Sequence, residues 1–292
     1  MEYSQAINRF GAAPSREEVA RTLENIAPRA AANCRADIYR QCFGALDLTS
    51  LDPCDTRRGI EELTRKTVEF PLHFPDMPRV ASLCVFPAFV ETVGLAAGNS
   101  TLTITSVAGG FPSSQTYLEV KMLEAAMAVE NGADEIDVVI SLGELLSGEY
   151  DLAGGELEML RGELGEEIIL KVILESGLLN DPETIRRAAL IAMQAGADFI
   201  KTSTGKTGVS ATPEAAVVMC GAIRDYYAAT GRRVGFKAAG GVSTPEQAAL
   251  YYTIVEQTLG EDWLNPGLFR IGASSLANRL LTAIRGEAIT YF

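Results

Sequence analysis

The sequence contains only one histidine, His73, and its five cysteines, at positions 34, 42, 54, 84 and 220, form no C-x-x-C pair. A metal site built from several imidazoles is therefore excluded, and a cysteine-based zinc site is not indicated. The cysteine spacing is equally unlike the disulfide framework of a small secreted protein. A reduced, cytoplasmic compartment is expected, with no metal and no cofactor.

Basic residues are also scarce. The sequence has 25 Lys and Arg residues and 38 Asp and Glu residues, which gives a formal net charge of −13. Binding to nucleic acid requires basic surface, so no nucleic-acid partner is predicted. Residues 92–118 lack charge, but Gly, Ser, Thr and Pro interrupt them, unlike a membrane-spanning helix. The first residues show no basic stretch before an apolar core, so we predict neither a secretory signal nor a membrane segment. An anionic ligand would need a locally positive site.

What the sequence does contain is a regular alternation of short apolar runs and helical stretches. The runs are FGALDL at 43–48, VASLCVF at 80–86, LTITSV at 102–107, EIDVVI at 135–140, IILKVIL at 168–174, DFIKTS at 198–203, VGFKAA at 234–239 and LFRIGA at 268–273. Such runs are typical of parallel strands in βαβ units, and eight units in about 250 residues predict an α/β protein with a (β/α)8 TIM barrel. A doubly wound open sheet is the alternative, and the lack of G-x-G-x-x-G after the runs disfavours its dinucleotide-binding form.

Repeated junctions support this alternation. The sequences NGADEIDVVI and AGADFIKTST each place a glycine, Gly132 or Gly196, between a predicted helix and a predicted strand. At the opposite junctions, Asp181, Thr212 and Thr244 each precede Pro-Glu and are predicted to cap a helix. We expect the barrel to occupy residues 41–292 and residues 1–40 to form a helical N-terminal extension.

Polar residues interrupt five of the apolar runs: Asp47, Asp137, Lys171, Lys201 and Lys237. The lysines fall on strands 5, 6 and 7, which are neighbours in a barrel, so their amines are expected to crowd into one cavity. Like charge and desolvation would lower the pKa of at least one amine and yield a nucleophile suited to Schiff-base chemistry. Two simpler interpretations stand beside this one: Lys201 could snorkel to the surface, and Asp137 could serve only as an ion-pair partner.

The loops that follow strands 7 and 8 indicate a phosphate site. They read AAGGVS at 238–243 and IGASSL at 271–276, and they supply Gly240, Gly241, Gly272, Ser274 and Ser275. In many barrels this corner binds phosphate through backbone N–H groups and a helix N-terminus.

Taken together, these residues resemble deoxyribose-phosphate aldolase. The resemblance rests on DFIKTSTGK, GFKAAGGV, DEIDVVI, LKVILESG, ALDLTSL and RIGASSL, and it extends from about residue 43 to residue 276. It implies a metal-free class I aldolase on a barrel. The implied reaction is the reversible cleavage of 2-deoxy-D-ribose 5-phosphate to acetaldehyde and D-glyceraldehyde 3-phosphate.

The resemblance also implies roles for individual residues. Lys201 would form the Schiff base, Lys237 would lower its pKa, and Asp137 would relay protons through an ordered water. Lys171 and Asp47 would complete the charge network. The phosphate wall would be formed by Thr204, Gly205 and Lys206 together with the residues of the strand 7 and strand 8 loops, and Tyr291, near the C-terminus, would assist proton transfer.

Two positions depart from the family pattern. Ala238 stands where the family usually has proline, and Ser114 stands where it usually has glycine, so Ser114 would be strained if that position requires a positive φ. Two other functions remain open: a Schiff-base aldolase with a different sugar phosphate or keto acid, and an inactive sugar-phosphate-binding barrel. A homo-oligomer is compatible with the sequence.

Overall fold

A computed structural model describes residues 2–179 and 181–292. Its eight strands form a closed barrel in which each strand pairs in parallel with its neighbours in sequence and β1 pairs with β8. The strands are β1 (Leu46–Thr49), β2 (Ser82–Val85), β3 (Ile104–Ala108), β4 (Glu135–Val139), β5 (Ile169–Ile173), β6 (Phe199–Lys201), β7 (Gly235–Ala239) and β8 (Phe269–Ala273). The predicted TIM barrel is confirmed, and the open-sheet alternative is wrong because the sheet closes.

Helices surround the barrel and connect its strands. They are α1 (Tyr3–Ala6), α2 (Arg16–Ala32), α3 (Ala36–Gly44), α4 (Arg57–His73), α5 (Val90–Ala97), α6 (Leu118–Glu130), α7 (Leu142–Leu146), α8 (Tyr150–Leu164), α9 (Pro182–Gln194), α10 (Pro213–Thr230), α11 (Pro245–Leu259) and α12 (Leu276–Arg285). Short 3-10 turns lie at Ile7–Phe10, Pro87–Phe89, Ser176–Leu178 and Glu261–Trp263. No helix in residues 2–179 and 181–292 is long and apolar enough to cross a membrane.

The junctions follow the sequence signals. The side chains of Asp181, Thr212 and Thr244 each accept a hydrogen bond from a backbone N–H in the first turn of the helix that follows. Gly132 and Gly196 lie just beyond α6 and α9 with φ of 105° and 100°, a region that disfavours any residue with a Cβ. The caps and the glycine stops are confirmed. The first apolar run was predicted too early, since residues 43 and 44 end α3 and only the residues from 46 onwards join the sheet.

The two faces of the sheet differ in chemistry. Outward-facing residues such as Ile136, Val138 and Ile200 belong to the continuous apolar core between strands and helices. Residues that alternate with them, such as Glu135 and Asp137, are equally buried but face the barrel interior. The period-two alternation of a strand therefore separates the apolar core from a charged interior.

The helices before β1 pack on the outside of the barrel. Helix α2 contacts α10 and α11, where Arg29 and Glu256 form an ion pair of 2.6 Å and Asn33 donates a 2.9 Å hydrogen bond to Thr253. Residue 40, the expected end of the extension, falls within α3, and α3 contacts both α11 and α12. The division at residue 40 stays a prediction.

The barrel interior is tightly packed around Gly235. A Cβ at this position would lie 2.3 Å from Cε1 of Phe199, whose ring is 1% exposed and is covered by the guanidinium of Arg270, 5.6 Å from the ring centroid. We expect Gly235→Ala to lower the free energy of unfolding by about 1–3 kcal/mol, because the ring has no space into which to move. Urea denaturation measures this change. Gly162→Ala is the control: it adds a methyl group to an exposed position of α8 with no atom within 4 Å, and it should stabilise the protein slightly.

Candidate active site

One carboxylate, that of Asp137 on β4, binds all three lysines of the barrel interior. Lys201 Nζ and Lys237 Nζ lie 2.8 and 2.7 Å from Asp137 Oδ2, and Lys171 Nζ lies 3.0 Å from Asp137 Oδ1. The strand register explains this convergence, since Asp137 pairs with Lys171 across β4 and β5, and Lys201 pairs with Lys237 across β6 and β7. The structure thus brings together the lysines and the aspartate that the sequence singled out on β4 to β7.

A second layer of ion pairs lies beside the first. Asp47 on β1 is 2.5 Å from Lys237 and 2.5 Å from Arg270, and Glu135 is 2.5 Å from Lys171 and 2.8 Å from Arg270. Arg270 on β8 bridges the two carboxylates with its two terminal nitrogens. Because the guanidinium group is planar and rigid, this double contact holds both carboxylates in fixed orientations.

Two hydroxyl groups add hydrogen bonds to the carboxylates of Asp47 and Glu135. Ser82 donates to Asp47 at 2.8 Å, and Thr105 donates to Glu135 at 2.6 Å. The Lys171 ammonium also approaches the Thr105 hydroxyl, at 3.3 Å. A buried charged network is tolerated when its polar atoms have partners, and these hydroxyls supply partners that the ion pairs alone would not.

The charges of the network lower the pKa of its carboxyl groups. Burial alone would raise the pKa of Asp137, but the three ammonium groups around it hold the pKa well below its usual range. Asp47 is likewise buried, and Lys237 and Arg270 outweigh burial and lower its pKa. The pKa of Glu135 is lowered in the same way, chiefly by Lys171. All three groups are therefore carboxylates at neutral pH.

The three amines respond differently. Burial lowers the pKa of Lys201, and the positive charge of Lys237 lowers it further against the pull of Asp137. For Lys171 and Lys237 the neighbouring carboxylates outweigh burial and raise the pKa. Among the described residues the interior holds four cations and three carboxylates, so release of one proton balances its charge. Lys201 is the lysine from which that proton leaves most readily.

Lys201 also lies at the floor of a cavity of about 420 Å³ at the C-terminal ends of the strands. Every residue that the sequence assigned to the phosphate wall lines this cavity, namely Thr204, Gly205, Lys206, Gly240, Gly241, Gly272, Ser274 and Ser275. Gly240 and Gly241 have φ of 84° and 79°, so two successive left-handed residues turn the β7 loop sharply. The loop after β8 leads into the N-terminus of α12, where backbone N–H groups favour an anion.

The two departures from the family pattern lie in different surroundings. Ser114 adopts φ 58° and is 3% exposed, so it occupies the left-handed conformation that glycine would adopt without strain. Ala238 lies within β7, opposite Ile271 on β8, and packs into the outer apolar core. It is part of the strand before the β7 loop, and the turn itself is made by Gly240 and Gly241.

Tyr291 is the one predicted site residue that lies apart from the others. Its hydroxyl donates to the carbonyl of Lys66 at 2.8 Å, and its ring packs edge-on against Phe70 and Phe74 at the end of α4. The C-terminal residues are held there because Asn278 accepts hydrogen bonds from the N–H groups of Tyr291 and Phe292. Helix α4 begins after β1 and ends before β2, so this position is at the opposite end of the barrel from the lysines.

Sequence reasoning missed several members of the charged network. Glu135 and Arg270 lie in strand segments that the sequence predicts, but neither is among the predicted site residues. The spacing along the strands indicates both residues. Glu135 stands two residues before Asp137 and Arg270 stands two residues before Gly272, so each lies on the same inward face of its strand as that later residue. The cavity wall also includes Ser50 and Asp52 from the loop after β1.

A closed parallel barrel whose charged interior opens into a cavity at the C-terminal ends of its strands is the architecture of a TIM-barrel enzyme. The model of the DeoC/LacD family aldolases matches residues 75–279. Deoxyribose-phosphate aldolases of Mus musculus and Homo sapiens are 41% and 40% identical over 242 residues, 79% of this chain and 76% of each relative. The tetrameric deoxyribose phosphate aldolase of Aeropyrum pernix has the same fold, with a TM-score of 0.66 at 24% identity over 92% of this chain and 98% of that one.

The chain therefore belongs to the DeoC/LacD aldolase family. It is an enzyme of the aldehyde-lyase class, and the resemblance to deoxyribose-phosphate aldolase that its motifs indicated is confirmed.

Removing the charge of Arg270 should raise the pKa of Lys201. The Arg270→Gln variant leaves three carboxylates facing three amines, so the interior no longer has a surplus cation and the protonated form of Lys201 is favoured. The pH dependence of acetylation of Lys201 by acetic anhydride, followed by peptide mass spectrometry, measures this pKa. Arg270→Lys keeps the charge and should leave the pKa close to that of the unmodified enzyme. A pKa that falls or stays constant in Arg270→Gln would contradict the charge balance.

Proposed function

We propose that this aldolase reversibly cleaves 2-deoxy-D-ribose 5-phosphate to acetaldehyde and D-glyceraldehyde 3-phosphate through a Schiff base on Lys201. The observation that carries the proposal is the contrast among the three lysines on Asp137. Lys171 and Lys237 are fully enclosed and have raised pKa values, whereas Lys201 borders the cavity and has a lowered one. A free amine at the floor of a cavity is the group that a carbonyl substrate would meet.

The cleavage can be written with this chain's own groups. The Lys201 amine adds to the C1 aldehyde of the open-chain sugar, and loss of water gives a protonated imine. The C3 hydroxyl then loses its proton, the C2–C3 bond breaks, and its electron pair moves into the imine to form an enamine while C3 becomes the aldehyde of glyceraldehyde 3-phosphate. Protonation of the enamine at C2 and hydrolysis of the imine release acetaldehyde and restore Lys201.

The charges around Lys201 suit these proton transfers. Asp137 accepts hydrogen bonds from Lys201 and Lys237 through the same oxygen, so it can relay a proton between the nitrogen and a water beside it. Lys237 and Lys171 remain ammonium groups, and their charge disfavours the protonated amine before imine formation. Asp47 holds Lys237 in place through its 2.5 Å ion pair. No metal or cofactor takes part in the reaction as proposed.

The phosphate of the substrate is proposed to bind at the far side of the cavity. The chain as a whole repels a phosphate, since its net charge is −13. The proposed wall contributes Lys206, the turn at Gly240 and Gly241, and the N–H groups of Ser274 and Ser275 before α12. Lys206 is held over the cavity by a hydrogen bond from its ammonium group to the Leu51 carbonyl.

The tetrameric relative from Aeropyrum pernix supports a homo-oligomer as the assembled form of this enzyme. The compartment is proposed to be the cytoplasm, since all five cysteines are free thiols and three of them, Cys42, Cys84 and Cys220, are buried.

The Lys201→Leu substitution should abolish both turnover and covalent trapping. Borohydride reduction in the presence of acetaldehyde adds two carbons to the Schiff-base lysine, and peptide mapping identifies that lysine. We expect the label on Lys201 in the unmodified enzyme and on no barrel lysine in the variant, because the other two amines stay protonated. Lys66→Leu, on the surface of α4, is the control and should be trapped normally. Undiminished trapping in Lys201→Leu would refute the assignment.

The Lys237→Leu substitution should shift the pH dependence of trapping to higher pH. Lys237 contributes a positive charge that lowers the pKa of Lys201, so its removal raises that pKa and leaves less free amine at neutral pH. Trapping rates measured from pH 6 to pH 10 would show the shift. A profile that moves to lower pH, or does not move, would argue against this role for Lys237.

The Ser274→Asp substitution tests the position of the phosphate. A carboxylate at this turn would repel the phosphate and remove a hydroxyl donor, while the lysine network stays intact. We expect kcat/KM to fall by about 100-fold for 2-deoxyribose 5-phosphate and by much less for unphosphorylated 2-deoxyribose. Ser4→Asp, in α1 on the outside of the barrel, is the matched control. Equal losses on the two sugars would mean that the phosphate binds elsewhere or that the barrel is damaged.

A further inference from the structure

A buried carboxylate lies directly behind the proposed phosphate wall. Glu175 follows β5, is 1% exposed and does not line the cavity. Its backbone is left-handed, with φ 51° and ψ 51°, a conformation that is strained for a residue other than glycine. The ion pairs found in the described residues do not include Glu175. A strained, buried carboxylate without a cation persists only where its surroundings fix it in place.

The groups that satisfy this carboxylate all belong to one loop. The Thr204 hydroxyl donates to Glu175 Oε2 at 2.5 Å, and the Thr204 N–H lies 3.3 Å from both carboxylate oxygens. The Thr207 hydroxyl lies 3.2 Å from Oε1 and 2.9 Å from the carbonyl oxygen of Val209, and it can donate to either. The Thr204 hydroxyl in turn accepts a 3.1 Å hydrogen bond from the N–H of Lys206. Because a carboxylate only accepts hydrogen bonds, it forces the Thr204 hydroxyl to donate to it and leaves the oxygen lone pairs for Lys206.

Backbone packing holds the same loop from two sides. Gly177, in the turn after Glu175, lies so close to the loop that a Cβ would be 2.0 Å from the carbonyl oxygen of Val209. On the opposite side, a Cβ at Gly240 would lie 2.6 Å from Cβ of Ser210 and 3.0 Å from Cα of Gly205. The loop from 204 to 210 is thus confined between the Ser176–Leu178 turn and the glycine turn after β7.

We propose that Glu175 is a positioning residue for phosphate recognition. From behind the cavity, its carboxylate sets the conformation of the 204–207 loop and so the position of Lys206 and of the loop's backbone toward the substrate phosphate. The proposal rests on the phosphate site proposed above. It assigns Glu175 no part in the chemistry at Lys201, with which the carboxylate forms no hydrogen bond in the described structure.

Kinetics on two sugars test this role. We expect Glu175→Ala to raise KM for 2-deoxyribose 5-phosphate, and the inhibition constant of inorganic phosphate, by about tenfold or more, because the loop loses a charged acceptor. The kcat/KM for unphosphorylated 2-deoxyribose and the borohydride trapping of acetaldehyde on Lys201 should change by less than about twofold. Glu175→Gln keeps one acceptor oxygen and should show a smaller rise.

Further variants make the outcome decisive. Gly177→Ala leaves the carboxylate in place but pushes on the loop through Val209, and it should weaken phosphate inhibition in the same way. Glu166→Gln, which removes an exposed carboxylate before β5, is the control and should change nothing. Thermal unfolding shows whether each variant is folded. If Glu175→Ala is not folded, Glu175→Gln takes its place in the kinetic test.

Two results would overturn the proposal, and they separate it from the proposed function. If the unmodified enzyme prefers the phosphorylated sugar but the Glu175 variants bind phosphate normally, or lose activity equally on both sugars, Glu175 has only a structural role. If the unmodified enzyme is trapped on Lys201 but neither prefers the phosphorylated sugar nor is inhibited by phosphate, the phosphate site itself is wrong and this role fails with it.

Discussion

The convergence of three lysines on the carboxylate of Asp137 is the interaction on which the rest of the barrel interior depends. Three buried ammonium groups close together would repel one another strongly, and among the described residues Asp137 is the carboxylate that lies within hydrogen-bonding distance of all of them. Asp47 and Glu135 neutralise two of the cations from the other side. The surplus charge introduced by Arg270 then falls on Lys201, the amine that borders the cavity.

This arrangement is possible because the barrel interior is not used as the hydrophobic core. The apolar core lies between the strands and the helices, where the outward-facing residues of each strand pack. The inward positions carry the charged network together with some apolar side chains, among them Cys84, Val107 and Phe199. The cost of burying these charges is offset by their mutual ion pairs and by the hydroxyls of Ser82 and Thr105.

In the cavity, too, the local arrangement of groups differs from the overall character of the chain. The chain has a net charge of −13, yet the proposed phosphate wall needs only a local arrangement of N–H donors and one lysine. That arrangement is set by backbone conformation: Gly240 and Gly241 have positive φ, and the 204–210 loop packs against Gly177 and Gly240 at distances that leave no room for a Cβ. The turn that follows β5 packs against this loop from behind.

The sequence alone determined the elements and their order. Short apolar runs, helix caps such as Thr212 and Thr244, and glycine stops such as Gly132 and Gly196 are local signals, so they predicted eight strands, the helices between them and hence the barrel. The motifs around Lys201 and Lys237 indicated the aldolase family.

Only the tertiary structure decided which charges meet. Glu135, Asp47 and Arg270 lie far apart in the chain, and closing the barrel by pairing β1 with β8 brings them into contact, which no local pattern encodes. The same closure distinguished Lys201 from Lys171 and Lys237, because the pKa of a buried amine depends on every charge around it. The position of Tyr291 was likewise beyond the sequence, since a terminal segment docks wherever its aromatic side chains find partners, here on α4 at the end of the barrel opposite the lysines.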